Sequence, residues 1–330
     1  MDPNQQKVDH TFVKRNSPIV ERYIKVLAPG TVANLVCGFD VLGMCLDEPN
    51  DLMEIRLLDE KKIIIHSADG YPLPSDPAQN TAGAPLVEMI NELDTPTGFE
   101  VIIHKKIKPG SGIGSSAASA AGAVVAANHL LGNIFSNKEL VRFAMFGEKV
   151  ASGVKHADNV APCIYGGITL IRSIHPLDII SIPSPDLFVT IVHPQIEVRT
   201  KDARQILRKE VLLKDAIRQW GNIAGLVAGF MQGDTDLIGR SLEDVIIEPV
   251  RSILIPGFDE IKSRCKEAGA LGGGISGSGP SIFMLSRNEA TAIEVETVMK
   301  EIYNRIGLDY NTYVTTINKT GVKVLVNGER

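Results

Sequence analysis

Lys108-Pro-Gly-Ser-Gly-Ile-Gly-Ser-Ser116, followed at once by an alanine-rich run, is the stretch from which the fold of this chain is read. It sets Gly110, Gly112 and Gly114, with the hydroxyls of Ser111, Ser115 and Ser116, directly ahead of a predicted helix. Glycine admits positive φ and lets a ligand come close to the backbone. A helix start offers unpaired N–H groups and the positive end of a dipole, so the combination suits an anion such as phosphate. Upstream, residues 99–107 are rich in β-branched side chains and predict a strand feeding the loop. The P-loop pattern is excluded, because Ser115 and not lysine follows the last glycine. The dinucleotide fingerprint fits residues 112–117 only loosely. It asks for an acidic strand end about 20 residues on, where Asn137–Glu139 predicts a helix start instead. On this stretch alone, a glycine-serine turn that merely caps a core helix stays open.

Composition bounds the rest. At 330 residues the chain has room for two modest domains. Hydrophobic content of 44% and charged content of 22% are ordinary for a soluble enzyme. A net charge of −5 implies no broad basic surface for nucleic acid, so any attraction for phosphate is local. Cys37, Cys45, Cys163 and Cys265 form no C-x-x-C pair and predict reduced, mostly buried thiols in a cytoplasmic protein. No apolar run is long enough for a membrane span. Residues 1–22 are mixed and polar and predict a partly disordered extension without the order of a signal peptide.

Strands are predicted at 23–27, 52–58 and 62–67, then a helix over Asn80–Leu93 with Leu86, Val87, Ile90 and Leu93 on one face. The helix after the glycine loop, 115–131, is almost uncharged and predicts burial on nearly all sides. The next, 137–151, points Leu140, Phe143, Ala144 and Val150 inward. Three prolines in 173–186 predict a domain junction. Beyond it come a strand (187–193), helices near 201–209, 213–231, 234–242 and 256–268, a strand (281–285), a helix (289–306) and strands at 312–316 and 322–326. The class is α+β.

Two further segments widen the reading, Lys25 to Gly43 and Gly272 to Pro280. Together with the central loop they make the three-part pattern of the GHMP kinases, and the chain resembles that family from about Ile24 to about Leu285. Ala33-Asn34-Leu35, Gly38 to Gly43, His156 to Pro162 and Glu248 to Phe258 are similar to its members that act on L-homoserine.

The resemblance implies a two-domain GHMP kinase fold, with a ribosomal protein S5 domain 2-like N-terminal part and a ferredoxin-like C-terminal part. The division expected is 1–22, 23–182 for ATP binding, and 183–330 completing the substrate site. The implied reaction is ATP-dependent phosphorylation of the L-homoserine hydroxyl by a homodimer of such chains, with Mg²⁺ and without nucleic acid or membrane. ATP would lie on Pro109, Gly110, Ser111, Gly112, Ile113, Gly114, Ser115 and Ser116, with Gly277 and Ser278 opposite. Asn80 resembles an adenine-pocket asparagine, although a helix cap is its other reading. Ser116 and Glu148 match the family's metal-binding residues. Asp40 matches the partner of the substrate ammonium, Arg204 and Arg251 the fork for its carboxylate, and Asn34, His156 and Asn159 the groups around its hydroxyl. By residue type alone, Glu148 and the two arginines would read as solvated helix residues.

Two departures narrow the substrate. Mevalonate-type and galactose-type members carry lysine where Thr31 stands, and an aspartate where Asn159 stands. An amide cannot accept a proton as a carboxylate does. Positioning and charge stabilisation are therefore expected in place of a dedicated base. Another GHMP small-molecule kinase, or a silent nucleotide-binding regulator of this fold, remains as the alternative.

Overall fold

A computed structural model describes residues 22–68, 71–198 and 200–325. The expected extension therefore lies outside the described residues, apart from Arg22. In the first half, buried Ile24, Val26 and Ala28 alternate with half-buried Tyr23, Lys25 and Leu27, which gives a strand one core face. This is β1 (Tyr23–Ala33), followed by β2 (Leu42–Leu58), β3 (Ile63–Ser67), α1 (Gly83–Asn91), β4 (Gly98–His104), α2 (Ser115–Leu130), α3 (Asn137–Ser152), α4 (Val160–Tyr165), β5 (Ile168–Ile174) and β6 (Leu177–Ile182). The second half runs β7 (Phe188–Pro194), α5 (Thr200–Gln205), α6 (Leu213–Gln232), α7 (Thr235–Ser241), α8 (Glu248–Arg251), α9 (Phe258–Glu267), β8 (Gly272–Ile275), β9 (Ile282–Ser286), α10 (Glu289–Ile306), β10 (Tyr310–Thr316) and β11 (Lys323–Leu325).

Seven strands form the first sheet in the order β11-β1-β2-β4-β3, with β5 on β2 and β6 on β5. Among the described residues only β3 and β4 pair in parallel, joined by the crossover through α1. The alanines of α2 let it lie close on β1 and β2. A side chain at Gly122 would fall 2.6 Å from Met53 Sδ and 2.9 Å from the Ala28 Cβ. The second sheet is antiparallel, in the order β10-β7-β9-β8. Its Val192, Ile282 and Met284 pack with Ile261, Val295, Met299, Ile302 and Tyr303 of α9 and α10. A single larger core joins the first sheet and its helices to Val189, Ile191, Phe230 and Leu285 of the second half.

Several expectations change. The helix expected from Asn80 begins at Gly83, because Asn80 caps the turn instead of entering it. Val150 is exposed rather than inward, at the rim of a cleft. The proline-bearing stretch contains the β5–β6 hairpin, so the connection between the sheets narrows to residues 183–187. Gly272–Ile275, for which no strand was expected, is β8. A side chain at Gly273 would meet the Phe283 carbonyl at 2.0 Å and one at Gly274 would meet Glu248 Oε1 at 1.7 Å. Pairing with β9 therefore overrides the poor strand propensity of glycine. The segment after β10 does not stay with the second sheet, since β11 pairs with β1 and Ile317 bridges to Leu46.

Candidate active site

A cleft of about 610 Å³ lies between the glycine loop, the segment after β1, the end of α3 and the second half of the chain. The loop owes its shape to a buried ion pair. Lys105 donates to Asp51, to the Ser115 carbonyl (2.6 Å) and to Ser119 Oγ (2.9 Å), while Asp51 Oδ1 accepts the N–H groups of Lys106 and Ile107 (2.8 Å each). Burial lowers the Lys105 pKa, but Asp51 opposes the shift. Ser115 Oγ donates back to the Ile107 carbonyl (2.8 Å). From the second half, Ser276 Oγ donates to the Gly112 carbonyl and Ser281 Oγ to the Ser111 carbonyl, both at 2.7 Å.

Gly114 opens α2 at φ 63°, and no side chain caps the first turn. A Cβ there would sit 1.9 Å from Thr31 Oγ1, so only glycine fits. The first N–H groups of α2 are thereby left free for an anion. Pro109, Gly110, Gly112, Gly114, Ser115 and Ser116 line the cleft, as do Gly277 and Ser278. Ser111 and Ile113 do not. Both are buried, Ser111 Oγ accepts the Ile113 N–H (3.3 Å), and Ile113 belongs to the core.

Ser116 Oγ donates to Glu148 Oε1 at 2.6 Å. Burial raises the Glu148 carboxyl, with only this hydrogen bond opposing it. A buried carboxylate and a hydroxyl beside a phosphate-shaped loop fit a hard cation that keeps most of its ligands as water and phosphate. Among the described residues no group of three or more His, Cys, Asp or Glu would hold a metal unaided. Past this pair the cleft ends at Pro72, Leu73, Pro74, Gln79 and Asn80. Asn80 Oδ1 accepts from Ala82 N (2.8 Å) and Gly83 N (3.2 Å), and Nδ2 donates to the Pro74 carbonyl (2.7 Å). Its amide serves the cap, with one hydrogen to spare.

The opposite end is formed by a turn in which Asn34, Leu35 and Val36 have φ of 74°, 41° and 67°, and Asp40 has 58°. Such a run of non-glycine residues costs on the order of 1–3 kcal/mol each. Asn34 holds it closed: Oδ1 accepts the Asp40 N–H (3.0 Å) and Nδ2 donates to the Gly277 carbonyl (2.8 Å). Arg204 donates to both Asp40 oxygens (2.8 and 3.0 Å), and His156 Nδ1 lies 3.8 Å from Asp40. Arg251 donates to the carbonyls of Ala203 (3.0 Å) and Gly277 (3.3 Å). Both guanidinium groups lie over the Phe39 ring, at 5.5 and 5.0 Å. Burial and the neighbouring Arg204 bring Arg251 down to about 10, which leaves it charged at neutral pH. Arg204 is paired with Asp40 whereas Arg251 is hydrogen-bonded only to carbonyls among the described residues, so the two cations favour a further anion.

Three buried polar atoms here have no partner among the described residues: His156 Nε2, Arg204 Nε and Asp158 Oδ1. Burial lowers the His156 pKa and so favours its neutral ring. Asp158 was not foreseen from sequence. It belongs to the cleft wall, between His156 and Asn159 in the chain, and burial, then Asp40 and Glu148, raise its carboxyl to about 7. Its place in His156-Ala-Asp-Asn159 was the available signal. Asn159 accepts a hydrogen bond from Thr31 Oγ1 (2.8 Å). All four cysteines are buried and unpaired, including Cys37, which burial pushes up to about 12.

A wider depression of about 710 Å³ lies behind α8, around Lys262 and Glu248. There Glu248 already pairs with Lys262 and accepts the Ile275 N–H (3.1 Å), so its charge is internally matched.

Comparison with known proteins shows the family of the chain. A model of the GHMP kinases N terminal domain matches residues 80–167, and one of the GHMP kinases C terminal domain matches 226–305. The chain is 45% identical over 312 residues to a homoserine kinase of Chloroherpeton thalassium, covering 90% of this chain and 98% of that protein. A homoserine kinase of Methanococcus maripaludis is 41% identical over 283 residues, covering 85% and 93%. The crystal structure of homoserine kinase from Cytophaga hutchinsonii superposes with a TM-score of 0.90 at 49% identity, covering 94% of this chain and all of that one.

Proposed function

The chain belongs to the GHMP kinase family, and from that premise we infer that it transfers the γ-phosphoryl group of ATP to the hydroxyl of L-homoserine. The product, O-phospho-L-homoserine, is a step towards threonine. One observation carries the reading: a single cleft joins an open, glycine-lined helix start to a half-buried cluster that combines two arginines, two aspartates, a histidine and an amide.

The triphosphate rests on the backbone N–H groups of the loop residues that line the cleft, Gly110, Gly112, Gly114, Ser115 and Ser116, and the adenine lies towards Pro72, Leu73 and Asn80. Ser116 and Glu148 would hold Mg²⁺, which supplies charge neutralisation on the phosphates. Arg204 and Arg251 take the substrate carboxylate. Asp40 receives the ammonium, with the Asp158 carboxyl, whose Oδ1 has no partner among the described residues, adding to the field there. His156 and Asn159 border the hydroxyl, whereas Asn34 acts by holding the Asp40 turn. The hydroxyl oxygen forms the new P–O bond as the bond to ADP breaks, and the proton leaves late, to phosphate or solvent. A loose transition state asks little of the nucleophile, so a dedicated base is dispensable.

A coupled ADP-release assay with homoserine, mevalonate and galactose in parallel tests this. Turnover confined to homoserine is the expected outcome. Turnover with another acceptor, or ATP binding without turnover, would replace the reading by a different kinase or a silent regulator. The ATP requirement and the unpaired buried thiols support a cytoplasmic setting, and among the described residues no helix is long and apolar enough to cross a membrane. Sedimentation tests the homodimer that the relationship implies.

A further inference from the structure

Thr31 is fully buried, and its hydroxyl has one hydrogen-bond partner among the described residues, Oδ1 of Asn159 at 2.8 Å. The backbone N–H of the same residue donates to the Ile113 carbonyl of the glycine loop (3.2 Å). Its Oγ1 also fills the space where a Gly114 Cβ would stand, at the cap residue before the helix that faces the phosphates. Thr31 thus touches both the nucleotide cradle and the amide that borders the acceptor.

We propose that Thr31 is a positioning residue for phosphoryl transfer, which turns the Asn159 amide so that its Nδ2–H donors face the cleft. An amide has one accepting and one donating end, and holding one end decides what the other presents. If the amide were reversed, Thr31 Oγ1 would accept from Nδ2, and its own buried hydrogen would be left without an acceptor. A buried donor left unmade is costly, so the hydroxyl selects the orientation in which it donates. Asn159 Nδ2 has no acceptor among the described residues and lies on the cleft. It therefore donates to the oxygens that meet during transfer, and offers the substrate hydroxyl no lone pair to take its proton. Because the backbone of Thr31 is tied to the loop, donor and cradle keep a fixed spacing.

This rests on the homoserine reading above, and the test keeps the two apart. Turnover is measured for the wild type, Thr31→Val, Thr31→Ser, Asn159→Leu and the double variant Thr31→Val/Asn159→Leu, with melting temperatures alongside. Thr31→Val keeps the shape and loses the hydroxyl. It is expected to lower kcat about 10- to 100-fold while KM for ATP and homoserine stays within about threefold. Thr31→Ser should retain kcat within about threefold, and adding Thr31→Val to Asn159→Leu should cost nothing more, because both act through one amide. Thr31→Val with wild-type kcat, losses that multiply in the double variant, or a serine variant as slow as valine would each overturn the proposal. Thr31→Ala is read in place of valine if the latter melts below the assay temperature. Absence of wild-type turnover with homoserine would instead overturn the reading on which it stands.

Discussion

At the glycine-loop end of the cleft the polar side chains are used on the protein itself, whereas at the Asp40 end several are left over. Lys105, Asp51, Ser115 and Asn80 all bind backbone or one another, and what remains for a ligand is mainly backbone N–H. At the other end His156 Nε2, Arg204 Nε and Asp158 Oδ1 are buried without partners among the described residues. The first arrangement suits a ligand recognised by charge and shape. The second is unsatisfied until a molecule with matching donors and acceptors arrives, and leaving such groups unmatched is costly, which makes it selective.

That contrast can be broken first where it is structural. Asp51→Ala strands the buried Lys105 charge and should cost about 3–5 kcal/mol of stability, read by urea denaturation. A loss below about 1 kcal/mol would mean that Lys105 finds water and that the loop is not pinned from within. Damage at the other end should appear in kinetics. Asn159→Leu should cut kcat by about 100-fold or more with ATP affinity nearly intact. Unchanged turnover would remove its positioning role. Next in size, Arg251→Ala and Arg204→Ala should each raise the homoserine KM about 10- to 100-fold and the ATP KM far less. Equal effects on both substrates would put the carboxylate elsewhere.

The smallest effect concerns pH. With Asp158 raised to about 7, the unfolded chain releases this proton at lower pH than the folded one. Its contribution to stability is therefore complete below the usual carboxylate range and is lost as pH rises through about 7. Asp158→Asn should flatten the fall in melting temperature between about pH 5 and about pH 8. An unaltered slope would mean that water reaches the carboxyl.

The sequence was most legible where local chemistry and chain order coincide. The loop 108–116, the uncharged helix α2 and the start of α3 at Asn137 are set by neighbours within a few residues. Contacts across the chain were not legible. Asp51 and Lys105 are 54 positions apart, Thr31 and Asn159 are 128 apart, and nothing in their surroundings announces the meeting. Strand β8 was hidden for a related reason, since four residues dominated by glycine become a strand only when β9 and Glu248 close around them. Ser111 and Ile113 share the motif with the cradle yet face the core, because alternate residues of a tight loop point to opposite sides.

The pairing of β11 with β1 bears on how this molecule is made. Until residues 323–325 leave the ribosome, β1 is the uncovered margin of the first sheet. At about 5–20 residues per second, that margin waits on the order of tens of seconds after its own synthesis. An open sheet edge is a template for wrong pairing. Nascent chains of this protein therefore pass through a long interval in which the nucleotide half is nearly built but not yet closed, and that interval is where chaperones have the most to hold.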